Sequence, residues 1–511
     1  MPQDKVPQSE HTLEADVLQV DVLIVGAGMA GLCAAIAARQ AGASVIVLEK
    51  ATPAERGGNT RFSNGAIRSV YHGVDDIDTL VGGLSQAERD RAEFGAYTRE
   101  EYFDDLARVT QYRCQPDMAD MLVENSRETM FWLHQQGVRF LPLYEWQFKL
   151  PDGRIRFSGG SALEAYGAGE GASEALFKTA ERLGVRILYE TKALELIDRC
   201  GAMAGVVARH NGKDFEIHAR STVLACGGFE ANVEWRTRYL GPSWDLAKVR
   251  GSRFNTGDGL RMALDVGAMP FGNWSGCHSA SWDLNAPDVN ELEYGTVFKR
   301  DDYLEGIVVN ADGQRFFDEG ADIRALTYAK LGRAILAQPG QVAWQIFDKN
   351  GAARLHGEYR VKQSARFRAD TLDGLVGQLE GINKTACLAT IDAFNKAIRT
   401  DIPYDPGKKD GRHTQGLAIP KSNWATAIAE PPFEAYGVTC GITFTFGGVR
   451  IDPTCRVLDE ASLPISGLYA AGEMVGGLFY FNYPGGSGLM SAAVFGKAAG
   501  KAAAASALGQ A

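Results

Sequence analysis

Residues 22–49 read VLIVGAGMAGLCAAIAARQAGASVIVLE, an apolar strand, a glycine-rich turn, a helix of small residues and a second apolar strand that ends in an acid. The three motif glycines of the turn have separate physical tasks. Gly26 permits the tight turn, Gly28 lets a pyrophosphate approach the backbone, and Gly31 lets the helix pack closely on the strand. Glu49 is then placed to accept hydrogen bonds from a ribose hydroxyl. The stretch therefore predicts a site for an adenine dinucleotide.

The glycine motif alone leaves alternatives open. A glycine-rich turn in an α/β domain without a ligand is one of them, and the acid at the expected distance favours the dinucleotide. The motif does not separate NAD from FAD. A carboxylate at Glu49 argues against a ligand with a 2′-phosphate.

Length and composition describe an ordinary globular protein. The 511 residues suffice for about three domains, or fewer if one is discontinuous. Hydrophobic residues make up 45% and charged residues 23% of the chain. A net charge of −10 without a basic run argues against a nucleic-acid partner. The eight cysteines form no CxxC pair, so we predict no metal site.

The N-terminal segment 1–16 is polar and acidic, without the basic start and apolar core of a secretory signal. No apolar run of the sequence reaches the length of a membrane span. We therefore expect a cytoplasmic protein with no integral membrane segment.

Strand and helix patterns divide the chain into three parts. They alternate through residues 17–268, weaken over residues 269–420, and resume over residues 421–511. We predict a dinucleotide-binding domain made of the first and last parts, with the middle part inserted as a cap domain. Within the cap, a helix around 322–337 is expected to carry Arg324 and Tyr328. The last stretch reads as a glycine-rich turn that feeds a small-residue helix.

Several motifs together resemble the flavoprotein family of fumarate reductases, succinate dehydrogenases and 3-ketosteroid dehydrogenases. They are VLIVGAGMAGLCAA with Glu49, GGNT at 57–60, VLACGGFEAN, NTGDG, DGQRFFDEG, GLYAAGE at 467–473 and the terminal PGGSGLMSAAVFGKAAG. The sequence is most similar to the tricarballylate dehydrogenase-like branch, through GCHSA, GQRFFDEGADIRALTYAKLGRAILAQPGQ and GITFTFGGVRID. The resemblance implies an α/β protein with a Rossmann-like FAD-binding domain of the glutathione reductase type and an inserted α+β cap domain.

The resemblance also implies FAD rather than NAD as the cofactor. Some relatives attach the flavin through a histidine just after the GG-containing loop. Here that loop reads RGGNTRFSNG, and His72 lies too far along, so we expect non-covalent FAD. The residues expected to bind it are Gly26, Gly28, Gly31, Glu49, Lys50, Gly57, Gly58, Asn59, Thr60, Gly65, Ala193, Ala225, Gly227, Gly228, Asn255, Thr256, Asp258, Gly472, Glu473, Gly486, Ser487, Gly488 and Leu489.

The implied chemistry moves a hydride between a substrate β-carbon and flavin N5 while a protein group handles the α-proton. In fumarate reductases a cap-domain arginine donates that proton, and the nearest candidate here is Arg324. Its register differs by about one residue. Tyr328 is the alternative, because a phenol with a pKa near 10 is more readily poised as an acid or base than a guanidinium. An ordinary ion pair is a third interpretation of Arg324.

His278, in GCHSA, lies where the family places a substrate-binding histidine, although a structural histidine is the alternative. Two other dicarboxylate-binding positions differ from fumarate reductases: a histidine becomes Phe444 and an arginine becomes Tyr483. Their loss would leave a carboxylate of fumarate unpaired at a cost of about 1–3 kcal/mol or more, which argues against fumarate. Tyr483 instead resembles the tyrosine that polarises a ketone in ketosteroid dehydrogenases.

The sequence thus predicts an FAD-dependent enzyme that dehydrogenates or reduces a carbon–carbon bond next to a carboxylate or ketone, similar to tricarballylate dehydrogenase. A 3-ketosteroid dehydrogenase-like desaturase of a cyclic ketone is the alternative. A flavin-binding redox sensor or electron carrier is a different class, for which the sequence offers no second-cofactor motif. The expected partners are a small-molecule substrate and an unidentified electron acceptor or donor.

Overall fold

The computed structural model describes residues 17–510. The segment 1–16, on which the absence of a secretory signal was predicted, lies outside the described residues. In chain order the strands are β1 (Val17–Val25), β2 (Val45–Leu48), β3 (Ala66–Ile67), β4 (Ala92–Glu93), β5 (Phe140–Pro142), β6 (Phe148–Lys149), β7 (Ile155–Arg156), β8 (Leu163–Ala165), β9 (Arg186–Leu188), β10 (Thr191–Arg199), β11 (Ala202–His210), β12 (Lys213–Leu224), β13 (Lys248–Val249), β14 (Pro270–Asp283), β15 (Ile307–Asn310), β16 (Ala343–Phe347), β17 (Arg366–Ala369), β18 (Phe433–Val449), β19 (Arg456–Leu458) and β20 (Pro464–Ala470).

The helices surround two main sheets. In chain order they are α1 (Met29–Gln40), α2 (Gly58–Arg61), α3 (Val74–Val81), α4 (Gln86–Arg91), α5 (Arg99–Val109), α6 (Pro116–Gln135), α7 (Ala168–Arg182), α8 (Val233–Trp235), α9 (Asp258–Asp265), α10 (Leu331–Leu336), α11 (Lys349–Ala352), α12 (Leu372–Val376), α13 (Lys384–Ala397) and α14 (Ser487–Ala507). None of these helices is both long enough and apolar enough to cross a membrane.

The first sheet is built on β1, which pairs in parallel with β12 on one side and β2 on the other. Residues 22–25 are buried on both faces, as expected for a continuous apolar run in a parallel sheet. β20 adds in parallel to β12, and β9 adds in parallel to β2. β11 and β12 form the expected antiparallel hairpin, and both residues of its turn, Asn211 and Gly212, have positive φ.

The second sheet is organised around β18. β14, β16 and β17 pair with it in antiparallel fashion, β13 pairs with it in parallel, and β15 extends the sheet beyond β16. The predicted cap segment, residues 269–420, supplies β14 to β17, while β13 precedes it and β18 follows it. The division at 268 and 420 stays a prediction, and the hydrogen bonding of this sheet runs across both boundaries.

The helix expected around 322–337 is shorter than predicted. α10 begins at Leu331, and residues 324–326 and 328–330 form two 3₁₀ turns before it. Thr327 interrupts the helix with φ −128° and ψ −28°. Its buried hydroxyl forms a 2.6 Å hydrogen bond with the hydroxyl of Tyr303, and this contact fixes the break. Arg324 and Tyr328 therefore lie on separate turns.

α1 and α14 pack closely because small residues face each other. A Cβ at Gly496 would lie 2.4 Å from the carbonyl oxygen of Ala30, and a Cβ at Gly500 would lie 2.1 Å from that of Ala34. Both distances are far below van der Waals contact with backbone atoms. The small-residue character of the C-terminal stretch is thus a requirement of helix packing.

Gly496→Ala should destabilise the protein although alanine is the better helix former. The added methyl group must displace α14 from α1, at an expected cost of about 1–3 kcal/mol, which exceeds the helix-propensity gain of about 1 kcal/mol. Thermal unfolding of purified protein measures the change. Gly357→Ala is the control, because a Cβ there would meet nothing within 4 Å. A melting temperature for Gly496→Ala at or above that of the parent would contradict the packing argument.

Candidate active site

In the glycine-rich turn after β1, Gly26 and Gly31 are packed against backbone atoms, whereas Gly28 has free space beside it. Gly26 has φ +104°, and a Cβ there would lie 2.3 Å from the carbonyl oxygen of Ala225. A Cβ at Gly31 would lie 1.8 Å from the carbonyl oxygen of Gly26. At Gly28 the nearest atoms would be 3.8 Å away. The turn therefore leaves space beside Gly28 for another molecule to approach the backbone.

A cavity extends from this turn to the junction of the two sheets. Most of the residues predicted to bind the cofactor line it: Gly26, Gly28, Glu49, Lys50, Gly58, Asn59, Thr60, Ala193, Ala225, Gly227, Asn255, Asp258, Gly472, Glu473, Gly488 and Leu489. The predicted residues that do not line it are Gly31, Gly57, Gly65, Gly228, Thr256, Gly486 and Ser487. Segments from distant parts of the sequence thus converge on one cavity.

Several lining residues were missed by the sequence analysis. Lys192 and Thr191 begin β10, and Ser252 precedes the NTGDG motif. None of them belongs to a motif that could have identified it. Cys226 lies inside VLACGG and lines the cavity as well, but burial raises the pKa of its thiol to about 12, so it stays a neutral thiol.

Glu49 ties the turn to the end of β2. One carboxylate oxygen accepts a hydrogen bond of 3.0 Å from the backbone N–H of Ala27, and the other accepts one of 2.9 Å from that of Ala51. Burial raises the pKa of Glu49, while these two backbone donors oppose the shift. The acid therefore holds the glycine turn against β2 as well as lining the cavity.

The wall beside Glu49 carries a charged cluster around Asp258, at the start of α9. Its carboxylate lies 2.7 Å from Nζ of Lys50 and 2.9 Å from Nζ of Lys192. Lys50 also donates a 2.8 Å hydrogen bond to Thr256. Burial would raise the pKa of Asp258, but the two lysines outweigh it and hold that pKa at about 2. The NTGDG motif is thereby fixed to β10 and to the end of β2.

Asn59 joins the cavity wall to the second sheet. Its side-chain N–H groups donate to Glu230 at 2.6 Å and to the carbonyl oxygen of Thr443 at 2.8 Å. Its carbonyl oxygen accepts a 2.8 Å hydrogen bond from the backbone N–H of Ser252. One side chain of the GGNT motif therefore sets the positions of three segments.

Glu230 and Glu473 form a pair of adjacent carboxyl groups at the cavity. One oxygen of Glu230 accepts from both Asn59 and Asn255 at 2.6 Å, while the other has no donor among the described residues. Burial and the charge of Glu230 raise the pKa of Glu473 well above its usual range, although Thr445 donates to it. The raised pKa of Glu473 therefore favours the protonated form of this carboxyl group beside Glu230.

The predicted catalytic residues His278, Tyr328 and Tyr483 lie together at the junction of the two sheets. The ring of His278 is 5.0 Å from each of the two tyrosine rings and is stacked on Phe444 at 5.3 Å. The hydroxyls of Tyr328 and Tyr483 form a short hydrogen bond with each other. Phe444 and Tyr483 also line the cavity, which places this aromatic cluster at its edge.

Burial keeps this cluster neutral. It raises the pKa of Tyr328 and of Tyr483 and lowers the pKa of His278 well below its usual value. Neither ring nitrogen of His278 has a hydrogen-bond partner among residues 17–510. At neutral pH one phenol hydroxyl donates to the other, and the cluster therefore offers one free phenol hydroxyl and one imidazole N–H as neutral hydrogen-bond donors.

The loop that carries Tyr483 is anchored by residues from the N-terminal part of the chain. The buried Arg68 donates a 2.9 Å hydrogen bond to the carbonyl oxygen of Gly485, and Ser161 donates to the same oxygen at 2.7 Å. The backbone N–H of Gly485 donates in turn to the carbonyl oxygen of Ala325 at 2.7 Å. The turn that precedes Tyr328 is thus bonded directly to the loop that follows Tyr483.

Arg324 is occupied by other partners. Its guanidinium forms a 2.5 Å ion pair with Asp302 and donates a 2.9 Å hydrogen bond to the carbonyl oxygen of Glu145. His356 shares the same carboxylate at 2.7 Å. This geometry matches the ion-pair interpretation of Arg324 more closely than that of a free proton donor.

Comparison with known proteins gives the class of the protein. A probable fumarate reductase, Ifc3, of Shewanella frigidimarina is 30% identical over 99% of this chain and 78% of its own length. Urocanate reductase of Eggerthella lenta is 28% identical over 98% of this chain and 76% of its own length. The 3-ketosteroid delta1-dehydrogenase from Sterolibacterium denitrificans shares the fold, with a TM-score of 0.73 at 22% identity over 96% of this chain and 100% of that one.

These comparisons place the chain among FAD-dependent oxidoreductases that act on CH–CH or C=C bonds. The family model described as FAD binding domain matches residues 21–489, and the chain belongs to this FAD_binding_2 family. The predicted family and the predicted cofactor are confirmed, and the fold is confirmed as that of a mixed α/β flavoprotein. The cavity fits FAD, because the open backbone at Gly28 and the unpartnered oxygen of Glu230 leave room and hydrogen-bonding capacity along it.

Glu473→Gln should change the pH dependence of stability. Since the pKa of Glu473 is raised in the fold, its proton stabilises the protein fully below about pH 4 and this contribution is lost as the pH rises. Glutamine has the same shape as the protonated acid and stays uncharged at every pH. The melting temperature of the variant relative to the parent should therefore increase between about pH 5 and pH 8.

Differential scanning fluorimetry across this pH range checks the expectation. Glu460→Gln, at an exposed position, is the control and should give a difference that does not vary with pH. A flat profile for Glu473→Gln would show that the fold does not raise the pKa of Glu473.

Proposed function

We propose that the protein transfers two hydrogens to or from a carbon–carbon bond next to a carboxylate or ketone. The hydrogen-bonded pair of Tyr328 and Tyr483 beside the neutral His278, at the edge of the FAD cavity, carries the proposal. Bound FAD supplies the hydride exchange with the substrate β-carbon at its N5. The chain supplies the proton and the hydrogen bonds to the activating group.

We assign the proton at the α-carbon to Tyr328. Arg324, the other candidate, is held by Asp302 and by a backbone carbonyl, and releasing a proton would leave the buried Asp302 without its charged partner. Burial raises the pKa of Tyr328, so its hydroxyl is protonated at neutral pH. A protonated acid is the state needed to reduce a C=C bond, and we propose reduction as the favoured direction.

Tyr483 and His278 are the proposed donors to the activating group. As charge develops on the oxygen of a carboxylate or ketone, N–H and O–H donors in a buried site stabilise it. The hydrogen bond from Tyr328 favours the ionised form of Tyr483 and so opposes the effect of burial on its pKa. Since each phenol has one hydrogen, the bond between the two hydroxyls must open when the substrate binds, so that Tyr328 and Tyr483 can both donate to it.

The choice of a particular substrate within this class rests on resemblance to other proteins. The GCHSA and FTFGG motifs support a substrate like that of tricarballylate dehydrogenase, and relatives named fumarate reductase and urocanate reductase support a carboxylate beside the C=C bond. Tyr483 and the aromatic wall formed with Phe444 and Phe479 support the alternative, a cyclic ketone. An electron donor or acceptor, still unidentified, completes the proposed cycle.

The cofactor-binding residues are assigned in the same way. The turn at Gly26, Gly28 and Gly31 with Glu49 would hold the adenosine and pyrophosphate, and Asn59, Glu473 and the start of α14 would lie along the flavin. His72 is exposed and does not line the cavity, which supports non-covalent binding. Acid precipitation of the purified yellow protein should release all of its flavin into the supernatant, measured by absorbance at the flavin band. Flavin that stays with the pellet would contradict this assignment.

Anaerobic spectroscopy tests the reaction. Chemically reduced holoenzyme is mixed with trans-aconitate, crotonate, cinnamate, 2-cyclohexen-1-one and 4-androstene-3,17-dione, and return of the oxidised flavin spectrum is followed. We expect reoxidation by at least one enoate. Reoxidation by the ketones alone would favour the alternative substrate, and reoxidation by none would refute the proposed function.

Tyr328→Phe should slow this reoxidation by about 10²–10⁴-fold, because the proton donor is removed while the ring is kept. Tyr483→Phe should slow it as well, with the larger loss on ketone substrates. Tyr480→Phe is the matched control, three residues before Tyr483 and outside the aromatic cluster. Stopped-flow absorbance gives the rates, and an unchanged rate for Tyr328→Phe would return the assignment to Arg324.

A further inference from the structure

Arg250 follows β13 directly and lies beside the catalytic cluster. Its backbone N–H donates a 2.8 Å hydrogen bond to the carbonyl oxygen of Ile442 in β18. On the opposite side of β18, Ile442 pairs with Ser279, the residue next to His278. β18 therefore lies between Arg250 and the segment of β14 that carries His278. Arg250 is buried, with 6% of its surface exposed.

Among residues 17–510, no carboxylate lies within ion-pair distance of Arg250, and the buried Asp301, whose pKa is raised by burial, interacts with its charge only from further away. The Nη1 atom of Arg250 is buried without a hydrogen-bond partner in the same part of the chain. The guanidinium lies over the ring of Trp282, 5.2 Å from its centre, which holds it in place without compensating its charge. A buried guanidinium in this state needs an anion, because removing a charge from water is costly unless it is paired.

The other buried cations of this region all have partners. Lys299 pairs with Glu358 at 2.9 Å, Arg300 with Asp283 at 2.8 Å, and Arg324 with Asp302 at 2.5 Å. Arg236 has no carboxylate partner, but both its terminal nitrogens donate to backbone carbonyl oxygens. Burial alone therefore does not explain why Nη1 of Arg250 has no partner among the described residues, since the neighbouring buried cations have partners.

Arg250 acts on the catalytic residues themselves. Burial sets the pKa of His278, Tyr328 and Tyr483, and in each case the charge of Arg250 pushes that pKa downward. The buried Asp301 also has an oxygen without a hydrogen-bond partner, and burial raises its pKa against the charge of Arg250. Arg250, His278 and Asp301 thus each carry a buried polar atom without a hydrogen-bond partner among the described residues, and the charge of Arg250 acts on the other two groups.

We propose that Arg250 binds the carboxylate of the substrate. The inference rests on the proposed function and narrows its substrate to an enoate, or the corresponding saturated acid, in preference to a neutral enone. A guanidinium matches the two oxygens of a carboxylate, and in a buried site this pair is strong. When the bond next to the carboxylate is reduced, negative charge grows on the same oxygens, so Arg250 stabilises the transition state together with His278.

The test compares a carboxylate with its uncharged amide on oxidised holoenzyme. Binding of crotonate and of crotonamide is titrated through the change in the flavin absorbance spectrum, which needs no turnover. Arg250→Met should weaken crotonate binding by about 100-fold and change crotonamide binding by less than about threefold, since only the charged ligand loses a charge-assisted bond. Arg250→Lys keeps the charge without the second donor and should fall between the two.

Arg238→Met is the matched control, because Arg238 is exposed and pairs with Glu234 on the surface. Flavin content and melting temperature confirm that each variant is folded. The proposal would be overturned if Arg250→Met weakened the binding of both ligands equally or of neither. It would also be overturned if the parent protein bound crotonate no better than crotonamide.

The same variants separate this inference from the proposed function. If crotonate binding depends on Arg250 but no enoate or ketone reoxidises the reduced flavin, the proposed reaction fails and the carboxylate site stands. If 2-cyclohexen-1-one reoxidises the flavin at equal rates in the parent and Arg250→Met, and crotonate does not bind, the carboxylate site fails and the proposed reaction stands.

Discussion

The side chain of Asn59 is the constraint on which the active-site geometry depends. It is half-buried and uses both N–H hydrogens and its carbonyl oxygen, on Glu230, Thr443 and Ser252. A Cβ at Gly251 would lie 2.1 Å from that carbonyl oxygen, so the segment carrying Arg250 must have glycine next to it to reach Asn59. The side-chain amide of Asn59 thereby joins the GGNT loop to β18. This connection sets the distance between the cavity and the aromatic cluster.

A second anchor works from the other side of the cavity. Arg68 is 1% exposed and divides its donors between the Gly485 carbonyl oxygen, the Tyr97 hydroxyl and Asp105. The N–H of Gly485 is bonded to the turn before Tyr328. Gly485 therefore links the two loops that carry the hydrogen-bonded tyrosines. Neither tyrosine is positioned by a strand or a long helix, and their hydrogen bond depends on that buried arginine.

Sequence reasoning succeeded where the constraint is local. The glycine turn, the hairpin ending in β12 and the small-residue helix α14 all follow from residues close together in the chain. It failed where tertiary contacts decide: Thr327 breaks the expected helix because its hydroxyl reaches Tyr303. Glu230 lies inside a recognised motif, yet its importance appears only when Asn59 and Asn255 converge on it. Arg250 belongs to no motif, and only the folded structure shows that its buried Nη1 has no partner among residues 17–510.

The charges around Arg324 and Arg250 explain why the arginine suggested by resemblance differs from the one suggested by structure. Arg324 sits near a recognisable motif, but Asp302 and His356 already surround its charge. The resemblance to fumarate reductases predicts a histidine and an arginine where this chain has Phe444 and Tyr483, and neither of these two side chains carries a cation. Burial keeps His278 and both tyrosines neutral, and in such surroundings a single guanidinium exerts a strong field because little screens it. An anion-binding role is therefore better supported by the unpaired Arg250 than by any residue that the family motifs identify.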